Sequence, residues 1–108
     1  MCGKDGHWMN EKLLPLLGIA RKAGRLSLGA DPAQEAMSKG KTSLLFLASD
    51  LSERSRRNIM EKAEQYGVTV ITLDASKDAL GAGVGKMTGI IAVNDKGFAE
   101  KMKTLCAE

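Results

Sequence analysis

The 108-residue sequence predicts an α/β fold, a three-layer α/β/α sandwich around a four-stranded mixed sheet. Three observations carry that expectation. Helical and strand patterns alternate along the chain, with no linker, low-complexity segment or internal repeat between them. Two apolar runs, Ser43–Ser49 (SLLFLAS) and Gly89–Asn94 (GIIAVN), are nearly continuous, as in strands covered by helices on both faces. Glycines at 24, 40, 67 and 81 stand where helical patterns stop, the usual place for a helix-closing glycine.

The elements follow in order. Residues 1–9 are expected to be a disordered extension, and residues 10–108 a single domain. Asn10 is placed to cap a first helix whose apolar positions Leu13, Leu16, Leu17 and Ala20 keep the helical period. Pro15 is awkward inside that helix and should tighten or bend its first turns. Gly24 ends it, and Arg25–Leu28 is a short strand candidate. Asp31, Pro32 and Gln34 then read as N-cap, first helical residue and third helical residue of a capping-box variant. Ala33, Ala36 and Met37 give this second helix its inner face, and Gly40 stops it. The Ser43–Ser49 strand follows. Asp50 or Ser52 caps a third helix with Ile59, Ala63 and Tyr66 on one side, closed by Gly67. Val68–Leu73 (VTVITL) is the next strand. Asp74–Leu80 is a short helix, capped by Asp74 or Ser76 and stopped by Gly81. After the last strand, Asp95 or Asn94 caps a helix carrying Phe98, Met102 and Leu105.

Composition narrows the function. A chain of this length can bury one core without disulfides or metal. Its two cysteines, Cys2 and Cys106, form no framework and read as reduced thiols of a cytoplasmic protein. The opening MCGKDGHW lacks the apolar region of a signal peptide, and no run is long enough to span a membrane. His7 is the only histidine and lies in the extension, which leaves a Ser-His-Asp or Cys-His site without a base. No ligand spacing suits a metal, and no cofactor is expected. Asp31, Asp50, Asp74 and Asp95 all stand where helices begin, so capping accounts for them without catalysis.

Gly81–Thr88 (GAGVGKMT) is the stretch that most resembles a phosphate-binding loop, and it fails the test. A P-loop needs its first glycine at position 80, which is Leu80, and Ser or Thr at position 87, which is Met87. The dinucleotide pattern starts at Gly81 and Gly83, but Lys86 replaces its last glycine. Both motifs must run from strand to helix, so that the helix N-terminus faces the phosphate. Here the order is helix to strand. The stretch is expected to be a turn or a macromolecule-facing loop, and the chain is expected not to be an enzyme.

The net charge is +3 and the sequence pI about 9.0, which suits an anionic partner. The distribution is more telling. Gly18–Gly29 (GIARKAGRLSLG) holds Arg21, Lys22 and Arg25 and no acid, and Lys39, Lys41, Arg54, Arg56 and Arg57 follow. A solvated face is the competing explanation of any such cluster. Phe46 and Phe98 fall at core positions, so no aromatic stacking platform is expected. A helix-turn-helix over Ala20–Met37 is opposed by the strand-like LSL between its helices.

Three segments, LLGIARKAGRLSLGAD (Leu16–Asp31), LLFLASDLSERSRR (Leu44–Arg57) and DALGAGVGKMTGIIAVNDKGFAEK (Asp78–Lys101), together resemble one family. It is the kink-turn RNA-binding ribosomal-protein superfamily of the large-subunit "seven-Ae" and "thirty-e" type, in its small bacterial YlxQ-like branch. The resemblance covers nearly everything from Asn10 onward. It implies the same α/β/α sandwich and an RNA-binding, non-enzymatic protein of the cytoplasm, with a ribosomal or other structured RNA, or the ribosome, as partner. It also implies two neighbouring RNA contacts. One is a G-x-N-E-x-x-K signature at the start of the second helix, which falls on Gly29, Ala30 and Asp31, with Pro32 in place of the Glu and Glu35 in place of the Lys. The other is the loop before the last strand, where the family's apolar contacts fall on Lys86, Met87 and Thr88. An acceptor-only Asp for a donor-bearing Asn, and an acid for a cation, should weaken or redirect kink-turn binding. The expected surface combines Arg21, Lys22, Arg25, Gly29–Asp31 and Lys86–Thr88. The rival expectation is a protein-interaction module on the same fold, with an eroded RNA site.

Overall fold

A computed structural model describes residues 6–73 and 75–107, with side chains from residue 13 to residue 105 apart from residue 74. The expectations for Cys2, for capping by Asp74 and for the side chains of His7 and Cys106 lie outside the described residues. In chain order the elements are α1 (Gly6–Lys22), β1 (Leu26–Leu28), α2 (Ala30–Ser38), β2 (Leu44–Leu47) and α3 (Glu53–Gln65). Then follow β3 (Thr69–Thr72), α4 (Lys77–Val84), β4 (Ile90–Val93) and α5 (Lys96–Ala107). The four strands form one sheet in the order β1-β4-β2-β3. β2 pairs parallel with β3, while β4 runs antiparallel to both β2 and β1.

The period-2 geometry of a strand sends alternate side chains to opposite faces, and here both faces are covered. Leu44, Phe46, Ile91 and Val93 share a core with Leu13, Leu17 and Ala20 of α1, Leu80 and Val84 of α4, and Ala99 and Met102 of α5. Leu45, Leu47, Ile90 and Ala92 share the second core with Ala33 and Met37 of α2 and Ile59 and Ala63 of α3. Continuous apolar runs in β2 and β4 are thus what a two-faced sheet demands. Phe46 is the largest fully buried side chain among the described residues, and its truncation to Ala would cost about 3–5 kcal/mol.

Some local expectations change, and others are decided between the alternatives. α1 begins at Gly6, upstream of the expected Asn10 cap, so residues 6–9 are helical rather than part of an unstructured extension. Pro15 lies inside α1 on its exposed side. Ser52 caps α3, its hydroxyl accepting from Ser55 N–H at 3.2 Å. Asp50 works elsewhere, accepting from Lys77 N–H at 2.9 Å at the start of α4. Tyr66, expected on one side of α3 with Ile59 and Ala63, is instead its C-cap and stands exposed, while those two are buried. Ser76 caps α4 and Asp95 accepts from Phe98 N–H at 3.0 Å in the first turn of α5.

The largest correction concerns the glycine-rich stretch. Gly81 does not stop α4; the helix runs through Gly81 and Gly83 to Val84. Gly81 is there because the chain folds back on it: a Cβ at that position would lie 2.7 Å from Met87 Cα. The loop proper is therefore only Gly85–Gly89.

Candidate nucleic-acid interface

The start of α2 is built around Gly29. Its N–H donates to Ile90 C=O at 2.9 Å, extending the β1–β4 ladder by one rung, and its own carbonyl accepts the first helical bond from Ala33 N–H at 3.1 Å. The chain must turn from sheet to helix within that one residue. It does so at φ 97°, ψ 168°, a conformation that L side chains rarely adopt. Gly29 is thus the N-cap, and Asp31, expected in that role, falls in the first turn. Among the described residues no side chain caps the helix. Pro32 has no N–H to satisfy, so the first turn presents the N–H groups of Ala30 and Asp31, both exposed residues. The Asp31 carboxylate sits at the positive end of the helix dipole, where negative charge is favoured.

The second expected contact is the loop after α4. Gly85 ends the helix in the left-handed conformation at φ 85°, its N–H donating to Gly81 C=O at 2.7 Å. Lys86 and Met87 follow, both exposed; Met87, at 64%, is the most exposed of the large apolar side chains described. Thr88 turns the other way. It is only 7% exposed, its hydroxyl donating to Ile90 C=O at 2.9 Å and accepting from Ile90 N–H at 3.3 Å. Of the three loop residues expected at an RNA surface, Lys86 and Met87 are presented to solvent and Thr88 is spent on shaping the loop.

The expected cations divide. Arg21, on the last turn of α1, reaches across to α4 and donates from Nη1 to Val84 C=O, answering the negative end of that helix. It also lies over Gly85, where an added Cβ would come within 2.7 Å of Nη1. Lys22 is exposed beside it. The two join Gly18, Ala82, Gly83, Val84 and Gly85 around a hollow of about 450 Å³. Arg25 is not part of this group. It stands at the far end of β1, about 13 Å from Gly29 at ~3.3 Å per residue. There its Nε lies 3.6 Å from Asp95 Oδ2.

Glu35, which stands where a cation was expected, is answered one turn further on. Lys39 Nζ donates to Glu35 Oε1 at 2.8 Å, and that hydrogen bond, with the Lys39 charge, holds the Glu35 carboxyl below its ordinary range. The net effect is a paired acid rather than a bare one beside the α2 start.

The sequence did not point to Ala82, Gly83 and Gly85 as walls of a hollow beside Arg21 and Lys22. The available signal was Gly18 three residues before Arg21 on one face of α1, opposite a segment of small residues. No group of three or more His, Cys, Asp or Glu side chains among the described residues could hold a metal ion. No described helix is long and apolar enough to cross a membrane.

Comparison with known proteins finds relatives that cover most of the chain. The chain is 30% identical over 95 residues to the RNA-binding protein YlxQ of Enterococcus faecium, covering 88% of this chain and 91% of that one. The YlxQ protein of Bacillus subtilis is likewise 30% identical, over 92 residues, covering 84% and 91%. Large ribosomal subunit protein eL8 of Halobacterium salinarum is 28% identical over 85 residues, covering 78% and 70%. Among solved structures, a Bacillus halodurans protein of unknown function superposes with a TM-score of 0.84 at 31% identity, over 90% of this chain and 98% of that one. The Giardia lamblia 15.5kD RNA binding protein shares the fold, with a TM-score of 0.73 at 19% identity, over 92% and 85%. Residues 11–103 match the ribosomal protein L7Ae/L30e/S12e/Gadd45 family, and with nearly the whole domain inside that match the chain belongs to it.

Proposed function

We propose that this chain is a non-enzymatic, cytoplasmic RNA-binding protein that grips a kinked, structured RNA between the start of α2 and the loop after α4. The observation that carries the reading is the Ile90 carbonyl, which accepts from both Gly29 N–H and the Thr88 hydroxyl. Through it the uncapped first turn of α2 and the exposed Lys86–Met87 pair sit side by side at one end of the sheet. A helix N-terminus offers N–H donors to phosphate oxygens. An exposed apolar side chain beside it offers a surface for an unstacked base, the feature by which RNA loops and bulges are distinguished from duplex. Lys86, with Lys22 and the remaining donors of Arg21, supplies the cationic surround. The relatives named as RNA-binding or ribosomal proteins support the same reading, and a ribosomal RNA is the partner class it favours.

Asp31 and Glu35 favour a second reading, a protein partner on the same face, because each places an acid where a backbone phosphate would approach. One titration separates the two. Binding to a kink-turn RNA and to a straight duplex is measured across a salt series. RNA recognition requires preference for the kinked RNA and an affinity that falls steeply with salt, since each phosphate contact releases counterions. Equal, weak binding to both RNAs would favour the protein partner.

A further inference from the structure

The hollow between the C-terminal ends of α1 and α4 lies outside the two contact points just described, yet it opens beside the second of them. Its floor is backbone: Gly18, Gly83 and Gly85 contribute no side chain, and Ala82 only a methyl group. Its cationic wall is Arg21 and Lys22. Its volume of about 450 Å³ lies within the range of about 300–1,000 Å³ usual for small-ligand sites. The glycines are fixed there by the packing of the two helices. A Cβ on Gly18 would stand 2.9 Å from Gly83 C=O, and one on Gly83 would stand 3.1 Å from Leu14 Cβ. The hollow is therefore bounded by two tightly packed helices, and its small lining residues, Gly18, Ala82, Gly83 and Gly85, leave backbone that a flat ring or a sugar can approach. The α4 C-terminus would oppose an anion here, but Arg21 already donates to its Val84 carbonyl. Lys22 adds a second positive charge within the same hollow.

We propose that this hollow is a nucleotide subsite. It takes one unpaired nucleotide of the strand that continues past the Gly85–Gly89 loop, with the phosphate on Lys22 and Arg21 and the ring or sugar on the glycine floor. The inference rests on the RNA reading above and extends its footprint across α4 onto α1. Continuity is what selects RNA as the ligand: Gly85 is both a wall of the hollow and the first residue of the loop. A strand held on Met87 reaches the hollow by the next nucleotide or two.

The test uses exposed positions that fill or recharge the hollow without touching the core. Ala82 is exposed on α4, so Ala82→Trp fills the space and Ala82→Glu places a negative charge in it. These two, Lys22→Ala and Met87→Ala are titrated with a fluorescent kink-turn RNA carrying its unpaired bulge, across a salt series, after circular dichroism has verified the fold. Ala82→Trp and Lys22→Ala should each weaken binding roughly tenfold, the scale of one lost charge-assisted contact. Lys22→Ala should also lower the salt slope by about 0.7–0.9, the value of one phosphate contact. Ala82→Glu should weaken binding more than Lys22→Ala, and it decides the matter if the tryptophan variant does not fold. Wild-type binding by the Ala82 and Lys22 variants alongside a clear loss at Met87→Ala would overturn the subsite and leave the loop reading intact. Wild-type binding by all four would overturn both. Losses at Ala82 and Lys22 without loss at Met87 would support the subsite and move the main contact away from the loop.

Discussion

The Gly29 N–H and the Thr88 hydroxyl donate to the same oxygen, the carbonyl of Ile90, each at 2.9 Å. Two segments 59 positions apart in sequence are thereby fixed to one rung of the sheet, which sets the distance between the α2 first turn and the Lys86–Met87 surface. Thr88→Val keeps the shape but removes the hydroxyl, and leaves Ile90 N–H without the acceptor it has at 3.3 Å. The expected cost is about 1–3 kcal/mol, the range for a buried donor left unsatisfied. RNA binding should weaken as well, because the loop loses its anchor. Thr88→Ser should recover most of both. Urea denaturation of the three proteins checks the first expectation and an RNA titration the second.

Met87 should separate binding from stability. At 64% exposure it contributes little to the core, so Met87→Ala should change stability by less than about 0.5 kcal/mol. If a base packs on it, the same variant should bind a kink-turn RNA several-fold more weakly, with its salt slope unchanged. Parallel melting and binding curves decide it. A loss of stability that matches the loss of binding would mark Met87 as structural.

Arg21 and Gly85 should be energetically coupled. Gly85→Ala forces a Cβ into the left-handed region at φ 85° and to within 2.7 Å of Arg21 Nη1. Left-handed backbone alone costs a non-glycine residue about 1–3 kcal/mol. Arg21→Ala removes the clash but also the donor to Val84 C=O. In a double-mutant cycle the second substitution should therefore cost less in the presence of the first. Strict additivity would show that the two do not meet.

Asp31→Asn tests the departure from the family signature. Asp31 is not the N-cap and makes no capping hydrogen bond, so the change should cost little of the fold beyond its interaction with the helix dipole. It removes a negative charge beside the RNA backbone and supplies an N–H₂ donor to a base edge. A well-placed bidentate contact contributes roughly 1–3 kcal/mol of discrimination, and one restored residue should reach only the lower part of that range. The gain should appear on a kink-turn RNA and not on a straight duplex. An equal gain on both would mean that only charge is felt.

Most of the fold was legible in the sequence because its signals are local. The continuous apolar runs of β2 and β4, the helical spacing of Leu13, Leu17 and Ala20, and the glycines closing α1, α2 and α3 all report within a few residues. What was not legible depends on distant partners. The capping-box spacing points to Asp31 as the cap, but the β1–β4 ladder carries the chain to Gly29 in register and starts the helix there. Gly81 looked like a stop because nothing nearby reveals that Met87 folds back onto it. Likewise, neither Thr88 facing inward nor Arg21 reaching α4 can be read from spacing, since both follow from which segments the sheet brings together. The nine expected site residues therefore resolve into an outward set around Ala30, Asp31, Lys86 and Met87, a scaffold of Gly29 and Thr88, the Arg21–Lys22 wall, and a distant Arg25.

The most direct test of the central claim is an amide NMR footprint. Nitrogen-15-labelled protein is titrated with a kink-turn RNA and, separately, with a straight duplex at the same salt concentration. The expected result is tight, localised perturbation by the kinked RNA at Gly29–Asp31 and Gly85–Thr88, with only weak, diffuse shifts from the duplex. Indistinguishable responses to the two RNAs, or shifts centred on α3 and β3 with the α2 start and the loop unmoved, would contradict it.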